Sequence, residues 1–407
     1  MRLRTFHGGA LGECLCVLAV GAVVSLAAAC GSSGGAASTK AGGKSSSTST
    51  GATAGATSTA SGQVTTAKAE LAKYAGPVTN YPSITPLSGV TALKGKHVWY
   101  VPIGAAPPSL SAIGTGIGQA LSKAGITMHM CDGRFLPTTI ASCLSQAQTQ
   151  GADAVIAGYV DYALTPTSFD NLVAHHIPVL LAGATPVAAK SPSPHLAFYD
   201  TTATLELVQK LQMDAVIADS NAKARVLYIG VSDSPQLKGA AAYGHTYLAD
   251  HCSGCSSTLS YINSASISKL PAQVSAALIA HPDTTYVVSE VDANAAPIIT
   301  GIQSAGFTNK VKLAAAEGDL AALQRIKSGN LQFVDPGFST IYLGWQFADG
   351  ILRMLTGHTP IVSAGVFRLF SSTNVANLTL TPAAYATIDW YGAKNFEKTF
   401  LAAWKIG

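Results

Sequence analysis

HVWYVPIG at residues 97–104, ITMHMC at 126–131, AVIAGYV at 154–160 and PVLLA at 178–182 are four apolar runs separated by segments of helical pattern. The runs are continuous rather than alternating, as in strands buried on both faces. Between them, Leu110, Ile113, Ile117 and Leu121 mark a helix over about 109–124, and two more fall at about 137–150 and 166–175. Strand–helix–strand alternation of this kind predicts a parallel sheet of βαβ units. The pattern recurs downstream: a short strand at 195–199, a long helix at 202–220, then helix-separated strands at 225–229, 258–262, 286–289 and 312–316. A last strand begins at 331, ahead of a helix at about 340–355. The fold class is α/β, with two lobes, each a parallel sheet with helices on both faces.

Length agrees with two lobes, since 407 residues exceed one ordinary domain of about 100–200. Charged residues are 11% of the chain, against about 25% in typical soluble domains. A net charge of +4 argues against a basic nucleic-acid binder. One apolar run, at the N-terminus, is long enough to span a bilayer, which excludes a multi-pass membrane protein.

That run follows Arg2 and Arg4, extends from Cys14 to Ala29, and ends in Leu26-Ala27-Ala28-Ala29-Cys30. A basic start, an apolar stretch and small residues before a Cys read as a signal peptide over 1–29. The ending resembles a bacterial lipobox with Cys30 as the lipidated residue, although Ala27 stands where Leu is usual. Gly, Ser, Ala, Thr and two Lys make up 31–62, so 30–63 reads as a lipidated Cys and disordered tether, about 30 Å end to end. Residues 66–75 read as a short helix within a lead-in over 64–94, and 76–93 as extended. The expected location is extracytoplasmic, on the outer face of a bacterial cell membrane.

Beyond the leader, Cys131, Cys143, Cys252 and Cys255 remain. An even number in an exported chain suggests the local disulfides Cys131–Cys143 and Cys252–Cys255. The CxxC spacing of the second pair also admits a redox motif or half a zinc site. However, it closes a helix rather than opening one, and His245 and His251 lack the usual ligand spacing.

Several strings in this order resemble the type I periplasmic binding proteins of ABC transporters, in the ribose-like, sugar-binding branch. They are Gly158-Tyr159-Val160-Asp161-Tyr162-Ala163-Leu164-Thr165-Pro166, Ile177-Pro178-Val179, Phe198-Tyr199-Asp200, His281-Pro282-Asp283, Asp292, and Glu317-Gly318 ahead of Ala321-Ala322-Leu323. The resemblance spans roughly 95–357. It implies a clamshell with lobe 1 over 95–186 and 337–360, lobe 2 over 187–336 and 361–380, and a C-terminal extension over 381–407. Crossings are then expected near 184–195, 334–340 and 358–366. It further implies a monomer that closes by hinge motion on a small polar ligand (sugar-like, cyclitol or nucleoside) and is read by a membrane permease, without cofactor or nucleic acid. A ligand-presenting sensor for a membrane receptor is the alternative within the same class.

Candidate ligand residues follow from strand ends, where open α/β sheets bind ligands. Ser109 and Leu110 stand where the family often has a stacking aromatic pair. Gly183 and Ala184 replace its Asp-Arg pair, and the expected Arg is absent from Gly239–Ala242. A ribose-like pentose is therefore disfavoured. Asp292 and Glu317 end strands of the second lobe, and such carboxylates accept hydroxyls or bind an amine; Asp292 equally reads as a helix cap. Asp335 reads as a ligand acceptor or a hinge residue. Asp132, Arg134 and Phe135 follow the second strand, with Arg134 orienting a ligand or lying exposed on the rim. Tyr159 stacks on a ring or packs; Asp161 reads as a ligand residue or a turn or cap residue, and Asp200 as a turn or cap residue.

Gly114, Gly116 and Gly118 miss the dinucleotide pattern, whose third Gly would fall at Gln119, and they lie inside a helix, as in close helix packing. Gly230-Val231-Ser232-Asp233-Ser234 lacks the second Gly of a nucleophile elbow. An exported α/β hydrolase using Ser232 is the alternative of another class; the chain is expected not to be an enzyme.

Overall fold

The computed structural model describes residues 51–392 and 395–407, with side chains from 59 onward. The signal peptide, Cys30 and most of the tether lie outside the described residues.

The first sheet contains β1 (His97–Pro102), β2 (Thr127–Met130), β3 (Ala154–Gly158), β4 (Val179–Ala182) and β5 (Leu196–Tyr199), all parallel, in the order β2-β1-β3-β4-β5. Helices α2 (Pro108–Lys123), α3 (Pro137–Thr149) and α4 (Pro166–Ala174) connect β1 to β4, while α1 (Gly51–Ala72) precedes the sheet. The continuous apolar runs divide by side-chain parity. Val98, Tyr100, Ala154, Ile156 and Leu180 join one core, and Trp99, Val101, Val155, Ala157, Val179 and Leu181 join the core on the other face. Each large apolar side chain so buried contributes about 1.5–3 kcal/mol.

The second lobe follows with α5 (Thr202–Asp219), β6 (Arg225–Val231), α6 (Pro235–His251), β7 (Ser256–Ile262), α7 (Leu270–Ala280), β8 (Tyr286–Ser289), α8 (Ala295–Ser304), β9 (Lys312–Ala314), α9 (Leu320–Ser328) and β10 (Gln332–Phe338). Then come α10 (Thr340–Leu355), β11 (Phe367–Ser371), α11 (Ser372–Val375), α12 (Pro382–Tyr385) and α13 (Glu397–Trp404). The second sheet has the order β11-β10-β9-β8-β6-β7, parallel except for β11 against β10.

Three boundaries differ from the sequence reading. The strand at 196–199 belongs to the first sheet, its ladder running from Val179↔Leu196 to Ala182↔Tyr199. The first crossing therefore falls at Asp200–Thr201, not near 184–195, and lobe 2 does not begin at 187. Residues 51–63, read as tether, lie in α1. Small residues hid its stripe: Ala60, Val64, Ala67 and Leu71 pack on the second lobe's core, and Glu70 pairs with Lys210 of α5 at 3.2 Å. The 381–407 segment is no appendage, because Phe396, Phe400 and Trp404 enter the first lobe's core. Trp404 stacks on Trp345 of α10 with ring centroids 5.7 Å apart.

The lead-in runs alongside it. Its first residues sit on the second lobe, where Tyr74 O accepts from Leu369 N at 2.8 Å. It then reaches the first lobe: Val78 N donates to Tyr391 O (2.6 Å) and Leu87 N to Ala403 O (2.8 Å), and Tyr81 stacks on Tyr342 at 6.0 Å. The two terminal segments thus form a clasp that passes between the lobes in addition to the hinge crossings.

Helix α10 returns to the first lobe and crosses α2 at glycines. A Cβ on Gly116 would stand 2.3 Å from Ile341 O, and one on Gly344 2.3 Å from Ile113 O. Both pairs of cysteines are bonded, Cys131–Cys143 at 1.97 Å and Cys252–Cys255 at 1.99 Å. The first ties the end of β2 to α3, and the second ties the end of α6 to the start of β7.

Candidate functional site

The carboxyl ends of β8, β9 and β10 bring Asp292, Glu317, Asp319 and Asp335 together. After β9 the chain turns at Glu317 (φ 119°) and Gly318 (φ 76°), a conformation that favours glycine. No side chain fits at Gly318, where a Cβ would lie 2.4 Å from Tyr391 Oη. Two carboxylates hold this turn. Asp335, on β10 and fully buried, accepts from Gly318 N (2.9 Å) and Gln332 Nε2 (3.2 Å). Asp292 accepts from Asp319 N (2.9 Å). Asp292 does not cap α8, so its cap reading is replaced by a brace across the turn.

Burial dominates the electrostatics. It pushes Asp292 up to about 7, with the Asp319 charge adding, while a hydrogen bond from Asp335 works the other way. Burial and the Asp292 charge hold Asp335 well above the carboxylate range. Asp319 is raised by burial to about 6, opposed by the Tyr385 hydroxyl that donates to it. Glu317 is raised well above its usual value by burial, then by the Asp319 and Asp292 charges; the Ser109 hydroxyl of the first lobe opposes this. Glu317 Oε2 is shut off from solvent and has no hydrogen-bond partner.

The first lobe supplies Ser109, which is 2% exposed at the start of α2, and Tyr159, at φ 57° past the end of β3. The Tyr159 ring lies over Gly183, where a Cβ would stand 2.7 Å away, and 6.3 Å from Phe347. Burial holds its hydroxyl well above the ordinary range. Asp161 makes no side-chain cap; it is half-buried, and desolvation lifts it to about 6. Its carbonyl accepts from Leu164 N at 3.0 Å, in keeping with its turn reading, while its carboxylate caps nothing.

The loop after β2 lies beside the loop after β1. Asp132 Oδ1 accepts from Ala105 N and Arg134 N, both at 2.9 Å, and so braces the loop. Arg134 and Phe135 are exposed residues with φ 52° and 57°. Asp200 accepts from Thr202 N (2.9 Å) and Gln236 Nε2 (3.1 Å), in keeping with its turn reading. Sequence reasoning missed Asp319, although it stands two residues after Glu317, and also Tyr385 and Tyr391, whose partners are distant in sequence.

Two α/β lobes with buried polar groups converging at their strand ends define a bilobal binding protein. The chain belongs to the periplasmic binding protein family: the model of the periplasmic binding protein domain matches residues 101–357. This is a family of solute-binding proteins rather than enzymes. Ser232, the hydrolase candidate, donates its hydroxyl to Ile262 O at 3.2 Å. No curated protein matches the chain. Solved structures do. The 5-methylthioribose transporter solute-binding protein of Thermotoga lettingae, in complex with 5-methylthioribose, is 14% identical with a TM-score of 0.62, covering 80% of this chain and 99% of that one. An ABC transporter solute-binding protein of Bacillus halodurans with bound myo-inositol is 16% identical, TM-score 0.58, covering 69% and 96%. One from Agrobacterium vitis with bound allitol is 17% identical, TM-score 0.57, covering 70% and 97%. At these identities the likeness is one of fold.

Proposed function

We propose that this chain is an extracytoplasmic solute-binding protein of an ABC importer, taking a small polyhydroxylated ligand into the interlobe cleft by hinge closure. The observation that carries this reading is Glu317. Its buried Oε2 lacks a partner at the end of β9, and the Ser109 hydroxyl reaches the same carboxyl from the opposite lobe. A buried acceptor left unpaired costs about 1–3 kcal/mol, and a ligand N–H or O–H that lands there removes that cost while joining the lobes. The polyols and sugar bound by the similar structures point to the same ligand size.

A thermal-shift screen of pentoses, hexoses, cyclitols, polyols and nucleosides tests this. The expected result is a ligand that raises the melting temperature and binds at least about tenfold more weakly to Glu317→Ala. A ligand bound equally by that variant sinks the assignment. The lipid anchor is part of the proposal. Cys30→Ala is expected to release the protein from membranes into the soluble fraction, and unchanged retention would refute the anchor.

A further inference from the structure

A second buried polar group lies on α10, among none of the cleft candidates. Asp349 and Arg353 stand four residues apart, the spacing that brings two side chains together on one helix face. Both are buried, Arg353 to 3% exposure. Asp349 Oδ2 accepts from Arg353 Nε at 2.7 Å, and Oδ1 accepts from Arg353 Nη2 (3.3 Å) and Trp404 Nε1 (2.8 Å). Nη2 also donates to Thr85 O of the lead-in. A guanidinium carries five N–H groups, and these bonds use those of Nε and Nη2. The two on Nη1 have no hydrogen-bond partner among the described residues.

This ion pair lines a cavity of about 370 Å³, within the range of about 300–1,000 Å³ usual for small-molecule sites. The other walls are Ile84 and Thr85 of the lead-in, and Ile361, Ser363 and Ala364 of the crossing from α10 to β11. Both walls are anchored. Gln346 Nε2 of α10 donates to Ser363 O (2.9 Å) and Ala364 O (3.1 Å), and Ser363 N donates to Tyr199 Oη (3.1 Å). The lead-in is fixed by Arg353 at Thr85 and by Ala403 at Leu87.

The lining selects a chemistry. Asp349 and Arg353 cancel each other's charge, and no other lining residue is charged. A charged ligand would therefore leave an uncompensated charge beside a buried pair, which is costly. The unused Nη1 donors call for an acceptor. Ile84, Ile361 and Ala364 offer apolar surface to the rest of the ligand.

We propose that this cavity is a second binding site, for a small neutral molecule that sets a carbonyl or hydroxyl oxygen on Arg353 Nη1 and a compact apolar frame against Ile84 and Ile361. The site goes beyond the cleft function proposed above and does not rest on it. Its occupant touches the lead-in and a hinge crossing at once, and so joins the clasp to the hinge.

Saturation-transfer NMR on the full chain tests this with four probes of one ring size. Cyclohexanol and cyclohexanone are the neutral members; cyclohexanecarboxylate and cyclohexylammonium are the charged ones. The expected result is saturable binding of the neutral members, about tenfold or more tighter than either charged analogue. Ala364→Phe fills the cavity and Ile361→Asp puts a charge on its apolar wall. Both positions are exposed, so each variant keeps its fold, and each is expected to weaken neutral binding about tenfold or more. Neutral binding unchanged in both variants, charged probes bound as tightly as neutral ones, or no saturable neutral binding overturns the proposal. Neutral binding lost in Glu317→Ala but kept in the two cavity variants would place the probes in the cleft and overturn it as well.

Discussion

Asp161, Asp292 and Asp319 carry a stability signature that a sparsely charged chain makes easy to read. Burial lifts them to about 6, 7 and 6, against an ordinary Asp value of about 3.9. The folded chain therefore holds protons that the unfolded chain releases. The stability contributed this way is complete below about pH 4 and is lost as pH climbs through about 6 and then 7. The melting temperature is expected to fall between pH 5 and pH 8. Asp161→Asn, at a side chain with no partner to lose, should flatten the part of that fall centred near pH 6. A melting curve in Asp161→Asn that tracks the unmodified chain at every pH would contradict this. Asp292 and Glu317 were legible in sequence as acids at strand ends, and Asp335 as an acid at a lobe crossing. Their division of labour was not, because whether a carboxylate braces a turn or faces the cleft depends on Gly318 N and Gln332, which no local pattern reveals.

Helices α2 and α10 show how a glycine can be read wrongly as phosphate chemistry and rightly as packing. The backbones touch at Gly116 and Gly344. Gly116→Val would force the helices apart and is expected to cost about 3 kcal/mol in denaturant unfolding. Gly118→Ala meets only the mobile end of Met128, at 3.2 Å, and gains helix propensity, so its cost should stay below about 0.5 kcal/mol. Equal losses at the two positions would remove the close-packing account. The central strands β3 and β4 were legible because burial on both faces leaves no polar residue within them. The lobe of β5 was not, since its ladder partner β4 is a property of the assembled sheet. Helix α1 was half missed because Ala, Thr and Ser look solvated until Ala60, Val64, Ala67 and Leu71 find α5.

At the scale of the molecule, the clasp adds two connections to the hinge. Val78 and Leu87 pair with the C-terminal segment along its length. At its first-lobe end, Trp404 Nε1 donates to Asp349 (2.8 Å), which is bonded to Arg353 (2.7 Å), and Arg353 in turn donates to Thr85 O. Trp404→Ala removes a buried ring and orphans part of this network, at an expected cost of about 3–5 kcal/mol. Limited proteolysis should then cut within 76–93 before any other part of the body. Protection of that segment in the variant would show that the lead-in holds without its partner.

The clasp also decides what light reports from this chain. Of four tryptophans, Trp390 and Trp404 lie in the C-terminal segment, and Trp345 stacks on Trp404. The fourth, Trp99, stacks on His129 at the first sheet's edge. Three of the four thus gauge how the terminal segments are seated, and Trp390, whose ring centroid lies 5.5 Å from that of Tyr385, is the one that neighbours the carboxylate cluster.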